Sequence, residues 1–148
     1  MLMQNRPAIF FDQYHEAILG QWIRTWNGYV WHHGIVSGFW QNPATLKWDI
    51  MVTHNVLHWG VVVTKLDSFC DNRPFEIVRS PQTVEHQRMI LLTAQENVGK
   101  TYDLFNRNCE HFATFCYTHR AESKQLQNVV STLAFVGVAF TLIAASSR

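Results

Sequence analysis

The hydrophobic period of the chain changes at one place, Ser80-Pro81. Before it, residues 20–79 run in short alternating stretches rich in β-branched and aromatic side chains, the pattern of half-buried strands. Residues 21–26 lead into Asn27-Gly28, which predicts a two-residue hairpin with residues 29–36 as the return strand. Ser37-Gly38 and Gln41-Asn42-Pro43 mark loops. Two more strands are predicted over 46–53 and 56–66, the second carrying Val61-Val62-Val63, then a turn-like stretch over 67–74 and a short strand over 75–79. The sum is an antiparallel sheet of about four to six strands.

After Ser80-Pro81 the spacing becomes helical. Thr83 can cap a helix over 84–97 with Ile90, Leu91, Ala94 and Val98 on one face, and Gly99 is a natural stop. Residues 101–105 read as a last strand or an extended link. Asn108 is a favoured N-cap, and Phe112, Phe115 and Cys116 follow at the spacing of an apolar helix face, so a second helix runs to about residue 117. Residues 129–145 carry no charge and only Ser131, Thr132 and Thr141 as polar side chains. As a helix they reach roughly 25 Å, near the lower limit of a membrane span, and read as a membrane tail ahead of the alternative of a buried core helix. The predicted class is α+β: a small antiparallel sheet with one helix and a cysteine-bearing helix packed on it, plus a C-terminal hydrophobic helix. Residues 1–19 are an extension, 20–127 the domain and 128–148 the tail.

Composition narrows the function. A chain of 148 residues, 47% hydrophobic and 14% aromatic, is one domain with ample apolar material for a core. A formal charge of +1 makes no global field for nucleic acid or an acidic membrane surface. The three cysteines cannot all pair and show no CxxC spacing, which fits free thiols in a reducing compartment. The eight histidines show no metal-ligand pattern, so neither a metal nor a cofactor is expected. The opening residues hold too short an apolar run for a signal peptide.

The candidate chemistry sits at Cys109. One residue after an N-cap, a cysteine stands at the partly positive end of a helix, which favours thiolate over thiol. A thiolate with an imidazole to take its proton is the minimum equipment for acyl transfer. A lone cysteine is more often a small buried hydrophobe. The full string Asn108-Cys109-Glu110-His111-Phe112, however, resembles the nucleophile box of the lecithin:retinol acyltransferase-like proteins, which include the phospholipase A/acyltransferases and a group of picornaviral 2A proteins.

Two stretches, His32-His33-Gly34-Ile35-Val36 and His58-Trp59-Gly60-Val61-Val62, resemble that family's histidine box. The first is favoured, because residues 20–38 lie beside the family's opening hairpin without a gap. The resemblance then implies Cys109 as nucleophile, His32 as general base with His33 in the neighbouring aromatic position, and His54 as a weaker candidate for the orienting group. His58 is the alternative base. His111, two residues past the cysteine, points away from it and reads as packing.

The resemblance further implies a permuted papain-like fold of the NlpC/P60 type and a cysteine that holds an acyl group as a thioester before passing it to water or an amine. The compact chain with a displaced third residue looks most like the picornaviral 2A proteins of the histidine-box/Asn-Cys type. The leading expectation is therefore a 2A-like protein acting at host membranes, in the host-cell cytoplasm, as a host-factor-binding module with impaired catalysis. The alternative is an active thiol phospholipase A/acyltransferase. Membrane lipids or host proteins are the expected partners, and a homo-oligomer is left open. RNA binding rests only on scattered arginines and aromatics. Proteolysis has no support, since the Gly-rich nucleophile turns of the β-barrel 2A proteases are missing.

Overall fold

A computed structural model describes residues 17–101 and 108–118 of the chain. The expected tail over 128–148, most of the expected extension over 1–19 and the link after Thr101 lie outside those residues.

Five strands form one antiparallel sheet: β1 Trp22–Trp26, β2 Trp31–Gln41, β3 Trp48–Val56, β4 Gly60–Lys65 and β5 Phe75–Arg79. Their order is β4-β3-β2-β1-β5, so consecutive strands pair as hairpins and β5 returns to the open edge of β1. Among the described residues three helices accompany the sheet: α1 Leu66–Cys70, α2 Val84–Asn97 and α3 Cys109–Thr118. This is the expected α+β fold, with local departures that have physical causes.

The β1–β2 connection is four residues long rather than two. The Asn27 side chain accepts the main-chain N–H of Tyr29 (3.0 Å) and of Val30 (2.9 Å), so the turn closes around an Asx hydrogen-bond pair and β2 starts at Trp31. Ser37-Gly38 makes no loop. β2 runs through it as a bulge between Val36 and Gly38, with the Thr53 hydroxyl donating to the Ser37 hydroxyl at 2.7 Å. The run predicted as turn-like over 67–74 opens instead with α1, whose Phe69 and Cys70 are buried. The strand expected from residue 56 begins at Gly60, because residues 57–59 form the β3–β4 turn.

The two faces of the sheet carry separate cores. On one, Trp22, Ile35 and Val61 pack with Ile90 and Ala94 of α2 and with Phe112, Ala113, Cys116 and Tyr117 of α3. On the other, Ile23, Val36 and Val52 pack with Phe69 and Cys70 of α1. The buried stripe of α2 is Ile90, Thr93 and Ala94, while Val98, expected on that face, is exposed. The stripe of α3 is likewise shifted, from Phe115 to Ala113 and Tyr117. Thr83 caps α2 as expected, its hydroxyl accepting the N–H of His86 at 3.0 Å.

Tyr117 fastens α3 to the sheet. Its hydroxyl donates to the Gly20 carbonyl (2.6 Å) and accepts the Trp22 N–H (3.2 Å). Burial pushes that phenol up to about 12, so it stays a donor at any working pH.

Candidate active site

The nucleophile candidate is placed by a helix start and by a gap in strand pairing. The Asn108 side chain accepts the His111 N–H at 2.8 Å, the N-cap that the sequence predicts. Main-chain groups of β2 alternate sides: Val36 exchanges hydrogen bonds with Gly20 and Gln21, so those of Trp31 and His33 face β3. The β2–β3 register begins only at Gly34 and His54. The Cys109 thiol meets the strand there. It donates to the Trp31 carbonyl at 3.7 Å and accepts from the His33 main-chain N–H.

The thiol is therefore seated against the main chain on either side of His32. Its acidity departs from the helix-end expectation. Burial pushes the Cys109 thiol above its ordinary value and Glu110 adds to the rise, while the N–H groups of His33, Glu110 and Cys109 itself pull the other way and do not win. Cys109 is held as a neutral thiol, so any reaction at its sulfur needs a base.

His32 and His54 form a pair of rings that could supply one. Both side chains leave the sheet on the α1 face, where Gly34, between them, makes room. His32 Nε2 lies 2.7 Å from His54 Nδ1, with the rings nearly perpendicular. Phe69 of α1 stacks on His32 at 5.0 Å and meets His54 edge-on at 5.1 Å. On its far side His54 Nε2 is 2.9 Å from the Thr64 hydroxyl. Burial lowers the pKa of both rings, His54 to about 3 with His32 as the second cause, so each is neutral near pH 7. With Nε2 of His32 committed to His54, the remaining nitrogen is Nδ1, the one nearer its own main chain.

His33 is on the opposite face of β2 and has a different job. Its Nδ1 lies 2.9 Å from the indole nitrogen of Trp22. An indole only donates, so His33 Nδ1 must accept, and the neutral ring then carries its proton on Nε2. Burial above all sets its pKa down at about 4. A ring in that state offers a donor at its other nitrogen and no acceptor for a thiol proton. The hydrogen-bond chemistry thus separates the two adjacent histidines: His33 Nδ1 is committed to an indole, while His32 keeps a second ring nitrogen, Nδ1, outside its contact with His54.

The other candidates are placed as follows. His58 stands exposed in the β3–β4 turn at φ 68°, outside the His32–His54 pair. His111 is buried on α3. Sequence reasoning missed Thr64 and Phe69. Their place beside His54 and His32 follows from the β3–β4 register, which sets Val52 opposite Thr64, and from α1, neither of which a strand pattern announces. It also missed Asn55, buried at 1% exposure with no hydrogen-bond partner for either amide atom among the described residues.

Among the described residues no group of three or more His, Cys, Asp or Glu side chains could hold a metal. No described helix is long and apolar enough to cross a membrane. A groove of about 420 Å³ lined in part by Leu19, Phe39, Met51 and Leu91 shares no lining residue with the site.

No curated protein and no solved structure matches the chain. A family model does: that of lecithin retinol acyltransferase, over residues 16–122. The match covers more than half of the chain and spans His32, His54 and Cys109 together, and the protein belongs to the lecithin retinol acyltransferase family.

Proposed function

We propose that the protein is a thiol-dependent acyl-transfer protein acting on the ester of a membrane lipid. The observation that carries this reading is the 2.7 Å contact between His32 and His54, which engages Nε2 and leaves Nδ1 of His32 uncommitted beside the main chain that seats Cys109. In this mechanism His32 Nδ1 takes the thiol proton as the sulfur attacks the ester carbonyl carbon. The tetrahedral intermediate collapses with cleavage of the carbon–oxygen ester bond, and the leaving alkoxide takes the proton back from Nδ1. The acyl group is then a thioester on Cys109. Water or an amine attacks the thioester carbon, giving up a proton to His32; the carbon–sulfur bond breaks, the acid or amide leaves, and the sulfur takes the proton back from Nδ1 as the thiol.

Because both partners are neutral at rest, proton transfer accompanies attack instead of preceding it. That places the rate in the hands of the geometry between His32 and the sulfur. The 2A-like role at host membranes, as a host-factor-binding module with impaired catalysis, is the second reading. It is favoured by the raised thiol of Cys109, which forgoes the thiolate that the helix end alone would promote.

The test is active-site labelling. Full-length protein on phospholipid vesicles is treated with a fluorescent ester phospholipid, and the adduct is located by peptide mass spectrometry. Acylation at Cys109 that disappears in Cys109→Ala and in His32→Ala, and persists in His58→Ala, supports acyl transfer. A folded wild-type chain that never acquires the acyl group sinks that reading in favour of the interaction module.

A further inference from the structure

The hydrogen-bonded chain at this site does not end at His54. It continues to Thr64 on β4, and the contacts restrict where its protons can sit. Both rings are neutral, so each has one N–H and one bare nitrogen. Two arrangements satisfy both short contacts. In the first, His32 Nε2–H donates to His54 Nδ1, and His54 Nε2–H donates to the Thr64 oxygen. In the second, the Thr64 hydroxyl donates to His54 Nε2, and His54 Nδ1–H donates to His32 Nε2. The second leaves His32 with its proton on Nδ1, where it can accept nothing from a thiol. The first leaves Nδ1 bare.

We propose that Thr64 is a positioning residue of this site: its oxygen, 2.9 Å from His54 Nε2, accepts the N–H there and so fixes the tautomer of His54 and, through the 2.7 Å contact, that of His32. The inference rests on the acyl-transfer reading, which selects the arrangement with Nδ1 bare, and the tautomers themselves are measured without any turnover. Thr64 touches neither the sulfur nor the place of a substrate; it acts through two rings. The pair is diagonal across β3 and β4, since His54 is registered with Val62 and Val52 with Thr64. A β-branched hydroxyl residue at position 64 keeps the strand conformation and offers oxygen to the ring on the α1 face.

Valine is the informative replacement. It keeps the shape and the β-branch but sets a methyl group against His54 Nε2. Methyl hydrogens are weakly positive, so they face a bare nitrogen better than an N–H. Thr64→Val is then expected to move His54 to its Nδ1–H form, and the His54–His32 bond carries the change to His32.

The experiment reads ring protonation directly. Long-range proton–nitrogen correlation spectra of ¹⁵N-histidine-labelled full chain distinguish Nδ1–H from Nε2–H rings, with assignment by His32→Gln and His54→Gln. Expected in the wild type are Nε2–H forms at both His32 and His54. Thr64→Val is expected to shift both towards Nδ1–H, and Thr64→Ser to retain the wild-type pattern. In parallel, the rate of Cys109 alkylation by iodoacetamide at pH 7.5 is expected to fall at least about tenfold in Thr64→Val, part of the roughly 10²-fold a positioned base contributes, and to recover in Thr64→Ser. A wild-type His54 in the Nδ1–H form overturns the proposal without any variant. So does a Thr64→Val chain whose rings stay Nε2–H. If the rings behave as expected while wild-type Cys109 never accepts an acyl group from the ester phospholipid, the acyl-transfer reading fails and the role of Thr64 in setting the tautomers holds.

Discussion

Gly34 is where the fold and the candidate site depend on the same few cubic ångströms. A Cβ built there lies 2.6 Å from Val52 Cγ1, 2.9 Å from Phe69 Cε2 and 3.3 Å from the Cβ of His54. Carbon atoms at rest stand about 3.5–4.0 Å apart, so Gly34→Ala forces Val52 and Phe69 back by roughly 1 Å. Both belong to the buried cluster of the α1 face, where such overpacking costs about 1–3 kcal/mol. Reduced freedom of the unfolded chain offsets about 0.4–1 kcal/mol of this. The net expectation is a loss of roughly 1–2 kcal/mol, a fall in Tm of about 3–8 °C for a domain of this size.

The same displacement reaches the site, because Phe69 stacks on His32 and meets His54. Cys109 alkylation at 20 °C, where the variant is folded, should slow by more than the unfolded fraction explains. The matched control is Gly38→Ala on the same strand, where the new methyl meets nothing within 4 Å, so alkylation should stay at the wild-type rate and Tm should hold or rise slightly from the same unfolded-chain effect. Thermal unfolding followed by circular dichroism, with alkylation in parallel, measures both. A Gly34→Ala chain whose Tm lies within 1 °C of the wild type refutes the packing argument.

Acid should weaken the fold through its buried rings. The pKa of His33 is about 4 in the folded state against the ordinary 6.5, so the unfolded chain binds the proton first and stability drains as pH falls from 6.5 to about 4. His33 alone accounts for roughly 3 kcal/mol over that window, and His54 adds a loss extending to about pH 3. Urea unfolding at stepped pH values checks this, and a flat profile counts against both rings being buried neutral. For the thiol, burial means that Cys109 alkylation should go on rising beyond pH 9, with no plateau at neutral pH; a plateau there would reveal a preformed thiolate. Asn108→Ala removes the acceptor of the His111 N–H and should cost about 1 kcal/mol by denaturant titration, whereas Asn108→Asp should retain most of it.

Much of the fold was legible because its signals are local. Thr83 and Asn108 cap helices by bonding to residues three places on, and alternation marked each strand to within a few residues. The family was legible in the strings at residues 32–36 and 108–112, and the family match spans both. What failed locally failed where a side chain redirects the main chain, as Asn27 does by lengthening its turn. Ser37-Gly38 failed similarly, by passing as a bulge inside a strand.

Tertiary structure decided what the adjacent histidines do. In sequence His32 and His33 are neighbours of the same chemistry, told apart only by the family resemblance. The period of two in a strand sends them to opposite faces, where one meets His54 and Phe69 and the other meets an indole that can only donate. Strand register alone brings Thr64 to His54, since a diagonal contact across two strands has no signature along the chain. The charge state of Cys109 was also settled in three dimensions. Its helix end argues for thiolate from sequence alone, and the burial that opposes it exists only once α3 has packed against the sheet.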